Sequence, residues 1–195
     1  MTLRFALLAT LSSRPRTGYD LLRIFDSSVA LVWHAAHTQI YPELRRMEAE
    51  GLLESVEVPR GPKAHKREYR ITERGIEELR RLASTPVQPP AEKDPYRLKA
   101  AYLEWADRDG ARRQFELHIE HFEHYLVAWE EMAQLIESGR DPIVGERLET
   151  QPEQSHEMIV ASKVFAYKGM AARARMEIEW AREGIALLDR LSTRS

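Results

Sequence analysis

Residues 37–53 read HTQIYPELRRMEAEGLL, an apolar stripe at helical spacing that ends in glycine, with a proline set into it at Pro42. Ile40, Leu44 and Met47 repeat at steps of four and three, which places them on one face of a helix and directs them to a core. Gly51 supplies the stop. If the helix starts near Thr38, with the threonine hydroxyl as cap, Pro42 falls at the end of the first turn. There it removes at most the first internal hydrogen bond, whereas deeper in the helix it costs about 3 kcal/mol. Proline also biases Tyr41 away from helical dihedrals, so the regular part is alternatively expected to begin only at Tyr41 or Pro42.

The face opposite the stripe carries Thr38, Gln39, Tyr41, Pro42, Arg45 and Arg46. This set suits the DNA major groove: arginine pairs with guanine edges and glutamine with adenine, while tyrosine and threonine reach phosphate or the thymine methyl. A solvated amphipathic helix explains the same residues equally well, so the flanking elements decide.

Two helices precede this segment. Leu3, Leu7, Leu8 and Leu11 give the first a core face, and SSRPR ends it. Thr17 and Asp20 have the spacing of a capping box and open the second, whose buried side is Leu21, Leu22 and Phe25. After it, LLESVEV and REYRIT are β-prone and flank PRGPKAHK, a loop with Arg60, Lys63, His65, Lys66 and Arg67 at or beside its tip. Thr72 then opens a helix running through Leu82. Three helices and a two-stranded hairpin make a winged helix-turn-helix, with a basic wing suited to phosphates. At the start of the second helix, Gly18 and Tyr19 can offer a backbone N–H and a hydroxyl to the DNA backbone.

TPVQPPAEKDP, residues 85–95, holds four prolines in eleven positions and reads as a stiff linker. It closes on Asp94-Pro95, a helix cap followed by proline at the first helical position. The expected division is therefore a DNA-binding domain over 1–85, a linker over 86–95 and an all-helical domain over 96–195. Residues 1–85 carry 14 Lys+Arg against 11 Asp+Glu, and residues 86–195 carry 15 against 20, so the two parts suit different partners.

Beyond the linker three helices are expected: one from Pro95 stopped at Gly110, one from Ala111 to Ser138, and one from about Glu153 to Leu191. The second carries Phe115, Ile119, Phe122, Leu126 and Trp129 at alternating steps of four and three. The third carries Val164, Tyr167, Ala171, Ala174, Ile178, Ile185 and Leu188 in the same rhythm. That is a coiled-coil seam. Helices of about 28 and 39 residues extend about 42 and 58 Å and cannot bury such seams in a small compact domain. They are expected to pair with each other and with a second copy. The fold class is mainly α, with α+β character in the N-terminal part.

These N-terminal residues resemble the PadR family of bacterial transcriptional regulators. The resemblance rests on TGYDLLRIFDSS, WHAAHTQIYPELRRMEAEGLL and REYRITERGIEELRRL, and covers residues 1 to about 84. FELHIEHFEHYLVAWEEM and MAARARMEIEWAREGIALLD sit where the long, Vir-like helical region of one subgroup would lie. The resemblance implies a homodimeric repressor on an inverted-repeat operator, released by a small effector, often phenolic or otherwise aromatic. It places Thr38, Gln39, Tyr41, Pro42 and Arg45 on the recognition helix, and Lys63, Lys66 and Arg67 on the wing. Two other readings stay open. One is a winged-helix module for protein–protein assembly with no operator. The other is a helical metal-dependent enzyme built on HIEHFEH, where His118, His121 and His124 follow at steps of three. The three histidines spread over too wide an arc for one tetrahedral site, so exposed histidines beside the seam are the preferred reading and no metal or cofactor is expected.

No catalytic motif stands out. The chain has no cysteine, which excludes disulfides and thiolate chemistry and fits a reducing cytoplasm. No apolar run reaches the roughly 20 residues of a membrane span, and MTLRFALLATLSS reads as a buried first helix rather than a signal peptide. The aromatic residues of the helical part could line an effector pocket, though at helical spacing they suit a core equally.

Overall fold

A computed structural model describes residues 2–26, 37–59, 65–89 and 93–192. The elements run α1 (Thr2–Leu11), β1 (Arg16–Thr17), α2 (Gly18–Ile24), α3 (His37–Ala49), β2 (Leu53–Pro59), β3 (His65–Ile71) and α4 (Glu73–Ser84). They continue with α5 (Pro95–Ala100), a 3₁₀ turn (Leu103–Trp105), α6 (Arg108–Glu137), α7 (Pro142–Thr150), a second 3₁₀ turn (Glu153–Ser155) and α8 (His156–Ser192). The protein is mainly helical with one small sheet.

The chain forms two compact units. The first comprises residues 1–87 together with 138–160, and the second comprises 88–137 and 161–195. In the first unit the strands lie in the order β1-β3-β2, antiparallel throughout. The hairpin is in register from Leu53↔Ile71 to Pro59↔His65. Strand β1 was not expected; its two residues pair as Arg16↔Tyr69 and Thr17↔Glu68. Leu7, Leu8 and Leu11 of α1, Leu21 and Phe25 near α2, and Ile40, Leu44 and Met47 of α3 close one core with Leu52, Leu53, Tyr69 and Leu82. Each fully buried aliphatic side chain there contributes about 1.5–3 kcal/mol relative to exposure.

The caps follow the chemistry of the sequence. Thr17 accepts the Asp20 N–H while the Asp20 side chain accepts the Thr17 N–H, a complete capping box. Thr72 caps α4 through the Gly75 N–H. Helix α3 ends in a Schellman turn: Leu52 N–H donates to the Met47 carbonyl and Gly51 N–H to the Glu48 carbonyl, both at 2.9 Å. Gly51 has φ of +73°, a backbone that other residues adopt only with strain. At the other end α3 is already helical at His37, so Thr38 lies inside the helix rather than capping it. Pro42 therefore sits in the second turn and leaves the Thr38 carbonyl without its usual i+4 donor.

In the second unit Asp94 caps α5 as expected, accepting from the Tyr96 and Arg97 N–H groups. Gly110 does not stop a helix. It lies in the first turn of α6, where its N–H donates to the Asp107 carboxylate at 2.8 Å. Helix α7 was not expected; Asp141 caps it and Pro142 opens it, the same pair of signals that opens α5. Residues 138–160, expected in the helical domain, group instead with the first unit, where Glu146 of α7 forms ion pairs with Arg14 and Arg16.

Helices α6 and α8 run antiparallel. Ion pairs mark the register: Arg112 with Asp189, Glu123 with Arg182 at 2.9 Å, Glu130 with Arg175, and Glu137 with Lys168 at 2.6 Å. Pairs this exposed each contribute little to stability; the packing beneath them does more. Ala111 and Phe115 of α6 meet Ala181 and Leu188 of α8, with Ile119, Trp180 and Ile185 against them.

Candidate nucleic-acid interface

Helix α3 divides its residues between two environments. Ile40, Leu44 and Met47 are each 0% exposed. Thr38, Gln39, Tyr41, Pro42, Arg45 and Arg46 are all exposed on the other side. The core thus fixes the roll of the helix, and with it the direction of the polar face. Arg46 leans on Glu43 at 3.1 Å. Arg45 has no ion-pair partner among the described residues, which leaves its guanidinium available to a ligand.

That face is not alone. Thr17, Gly18, Tyr19 and Asp20 from the β1–α2 corner, Tyr41 and Arg45 from α3, and Lys66, Arg67 and Tyr69 from β3 line one cleft of about 650 Å³. The sequence-predicted residues Gly18, Tyr19, Tyr41, Arg45, Lys66 and Arg67 therefore converge from three elements. Thr38, Gln39, Pro42 and Arg46 lie on α3 outside the cleft lining, and Lys63 lies outside the described residues.

Contact between α2 and α3 is unusually close. The Tyr41 ring lies against Gly18 so tightly that a Cβ there would stand 2.5 Å from Tyr41 Cε1. A Cβ there would require the Tyr41 ring, itself exposed, to swing aside. The contact seats the corner bearing Tyr19 against the helix bearing Arg45. Asp20 sits behind the corner, its carboxyl held below the ordinary aspartate range chiefly by the Thr17 hydroxyl, with Lys66 and Arg16 adding electrostatic help. Arg67 reaches Glu48 at 3.1 Å, so its charge is partly spent within the protein. The strand residue Tyr69 was missed as part of the lining; its place in the alternation of β3, two positions from Arg67, was the available signal.

The expected seam residues lie in the second unit, except that α8 begins in the first. Phe115, Val164, Tyr167, Ala171, Ala174, Ile178 and Leu188 are buried within the single chain, and Ile119, Phe122, Leu126, Trp129 and Ile185 are half-buried. The first seven are thus covered by their own chain, while the other five keep part of their surface accessible. His118, expected at the surface, is 4% exposed. Its Nε2 lies 3.0 Å from the Glu177 carboxylate, which also accepts from Arg97 at 3.1 Å. Tyr96, Phe122 and Trp180 pack their rings around it. His121 and His124 remain exposed. Among the described residues no group of three or more histidine and carboxylate side chains is placed to hold a metal. No helix among them is long and apolar enough to cross a membrane.

Residues 7–81 match the family model of the transcriptional regulator PadR-like family. Along its length the chain is similar to the negative transcriptional regulator PadR of Bacillus subtilis, 24% identical over 190 residues, spanning 96% of this chain and 98% of that one. It is 36% identical over 89 residues to the probable transcriptional regulator Rv1176c of Mycobacterium tuberculosis, 46% of this chain and 47% of that one. Among solved structures, B. subtilis PadR in complex with operator DNA superposes with a TM-score of 0.76 at 22% identity, covering 96% of this chain and 98% of that chain. The same protein in complex with p-coumaric acid gives 0.68 at 22% identity, covering 97% and 99%. The Vibrio cholerae virulence activator AphA gives 0.70 at 23% identity, covering 97% and 99%. Both curated relatives are transcriptional regulators by name, and the structural likeness extends over the long helices as well as the winged part. Over residues 7–81, then, the chain is similar to the transcriptional regulator PadR-like family.

Proposed function

We propose that this protein is a homodimeric repressor that reads an inverted-repeat DNA operator in the cytoplasm and releases it on binding a small aromatic or phenolic effector. One observation carries the DNA part: Tyr19, Tyr41, Arg45, Lys66 and Arg67 converge from three elements on one cleft beside the exposed face of α3. In this reading Arg45 contacts base edges, with Thr38 and Gln39 beside it, while Tyr19, Lys66 and Arg67 hold phosphates. Support for the effector is the likeness to B. subtilis PadR, captured with p-coumaric acid.

The homodimer has support of its own. Helix α8 carries a second apolar stripe, set roughly 160–200° around the helix from Tyr167, Ala174 and Ile178. Phe165, Met176 and Leu187 recur on it at steps of eleven, and Phe165 is 80% and Met176 50% exposed. Gly169 and Ala172 lie on the same side and permit a close approach. A long helix apolar on two sides has one side for its own chain and one for another.

Selection of duplexes from a random pool by the full-length protein tests the reading. We expect an enriched inverted repeat with half-sites about one helical turn apart, and repression of a reporter placed behind it that p-coumaric acid relieves. No enrichment, with tight capture of another protein instead, would favour the assembly-module reading.

A further inference from the structure

We propose that Glu146, far along the chain on α7, is a positioning residue for DNA binding, because its carboxylate holds the β1–α2 corner in place. The proposal rests on the DNA-binding reading above. Its starting point is Arg16, a guanidinium only 5% exposed. A charge that deeply placed persists only where it is paired and hydrogen-bonded. Its partners are the Thr10 carbonyl, 3.5 Å from Nε, and the Glu146 carboxylate at Nη2. The second oxygen of the same carboxylate takes Arg14. Thr10 offers one long, uncharged contact and Asp20 a more distant charge, so Glu146 is the carboxylate directly hydrogen-bonded to Arg16.

What Arg16 carries makes this matter for binding. Arg16 and Thr17 are the whole of β1, paired to the strand that bears Lys66 and Arg67. Thr17 is the cap on which α2 begins. Gly18 follows, pressed against Tyr41, and then Tyr19, exposed on the cleft. The corner is thus wedged between Glu146 on one side and the Tyr41 ring on the other. A shift of Arg16 moves Gly18, and with it the corner bearing Tyr19, relative to the Tyr41 ring and the face of α3. The carboxylate is delivered from a fixed base. Asp141, itself buried, caps α7 by accepting from the Val144 N–H at 2.7 Å, Pro142 occupies the first turn, and Val144 is buried. Pro142 and Ile143 also line a cleft with Arg23 and Ile24 of α2, so α7 faces the helix whose start it steadies.

The test uses the full-length protein and the duplex that the wild type selects from a random pool, with affinity measured at two salt concentrations. Amide exchange of residues 17–20 is followed without DNA. Glu146→Gln keeps the shape and removes the charge. We expect it to bind about tenfold more weakly and to exchange the amides of Gly18–Asp20 about tenfold faster, with the helical content and oligomeric state of wild type. Glu146→Asp should recover part of both losses. Arg14→Ala removes only the exposed partner and should stay within about threefold of wild type. If Glu146→Gln bound with wild-type affinity, or lost affinity with residues 17–20 exchanging at the wild-type rate, the positioning role would be wrong. A wild type that selects no duplex overturns the DNA-binding reading itself, and this proposal with it.

Discussion

The two units bury their interiors differently. In the winged unit a dozen buried side chains, nearly all aliphatic or aromatic, close a core within residues 7–82. In the helical unit the contact between α6 and α8 is made largely by alanines with Phe115 and Leu188, and a His118–Glu177 pair is buried beside it. The apolar side chains that the first unit leaves exposed, such as Val56 and Val87, are scattered over a strand and a loop. The second leaves Leu117, Val127, Phe165 and Met176 in solvent. On the function proposed above, a continuous apolar face along long helices suits the joining of copies.

Substitutions can break or sharpen this contrast. Phe115→Ala should cost about 3–5 kcal/mol, measured by denaturant unfolding, because the ring is fully buried under Trp180 at 5.6 Å between centroids. Leu44→Ala should cost about 2–5 kcal/mol and lower DNA affinity at temperatures where the protein is still folded, since it frees the roll of α3. Phe165→Glu combined with Met176→Glu should leave chain folding intact and shift the proposed dimer to monomer in sedimentation equilibrium. A dimer unchanged by that pair would place the interface elsewhere. Arg45→Ala should weaken specific binding by about 1–3 kcal/mol and relax preference at one base position. Lys66→Ala should weaken binding to all sequences alike and reduce the salt slope by about 1. Equal effects of Arg45→Ala and Lys66→Ala on selected and random DNA would contradict these separate roles.

The smallest effect concerns acid. The Asp20 carboxyl is depressed below 3.8, mainly by the Thr17 hydroxyl. A depressed carboxylate stabilises the fold fully above its unfolded pKa and loses that contribution as pH falls through its folded value. Asp20→Asn should therefore flatten the stability loss below about pH 4 and lower stability slightly at neutral pH. Both are readable from melting temperature against pH.

Much of the winged unit was legible because its signals are local. Four-three spacing placed Ile40, Leu44 and Met47, the Thr17–Asp20 box fixed the start of α2, and Gly51 marked the stop of α3. Other features depend on partners far away. A two-residue strand such as β1 has no periodicity to read. His118, His121 and His124 look alike in sequence; only His118 meets Glu177, 59 positions on, and goes inside. Helix α8 has apolar residues on two faces, and periodicity does not say which one its own chain covers. Gly110 looked like a stop because Asp107, its cap, went unread. The Asp141–Pro142 signal was as clear as Asp94–Pro95, but it was absorbed into an expected loop between two long helices.

Helix α7 gives the winged unit a discontinuous pedigree: its last piece is encoded after the start of the helical unit. A fragment cut at the proline-rich segment would strand the Arg16 guanidinium without its counter-ion. On the ribosome, likewise, Arg16 lacks that partner until residues near 146 emerge. Grafting residues 1–87 onto a foreign dimeriser should thus yield a weaker reader than the intact chain, and supplying α7 as a separate peptide should restore part of the loss.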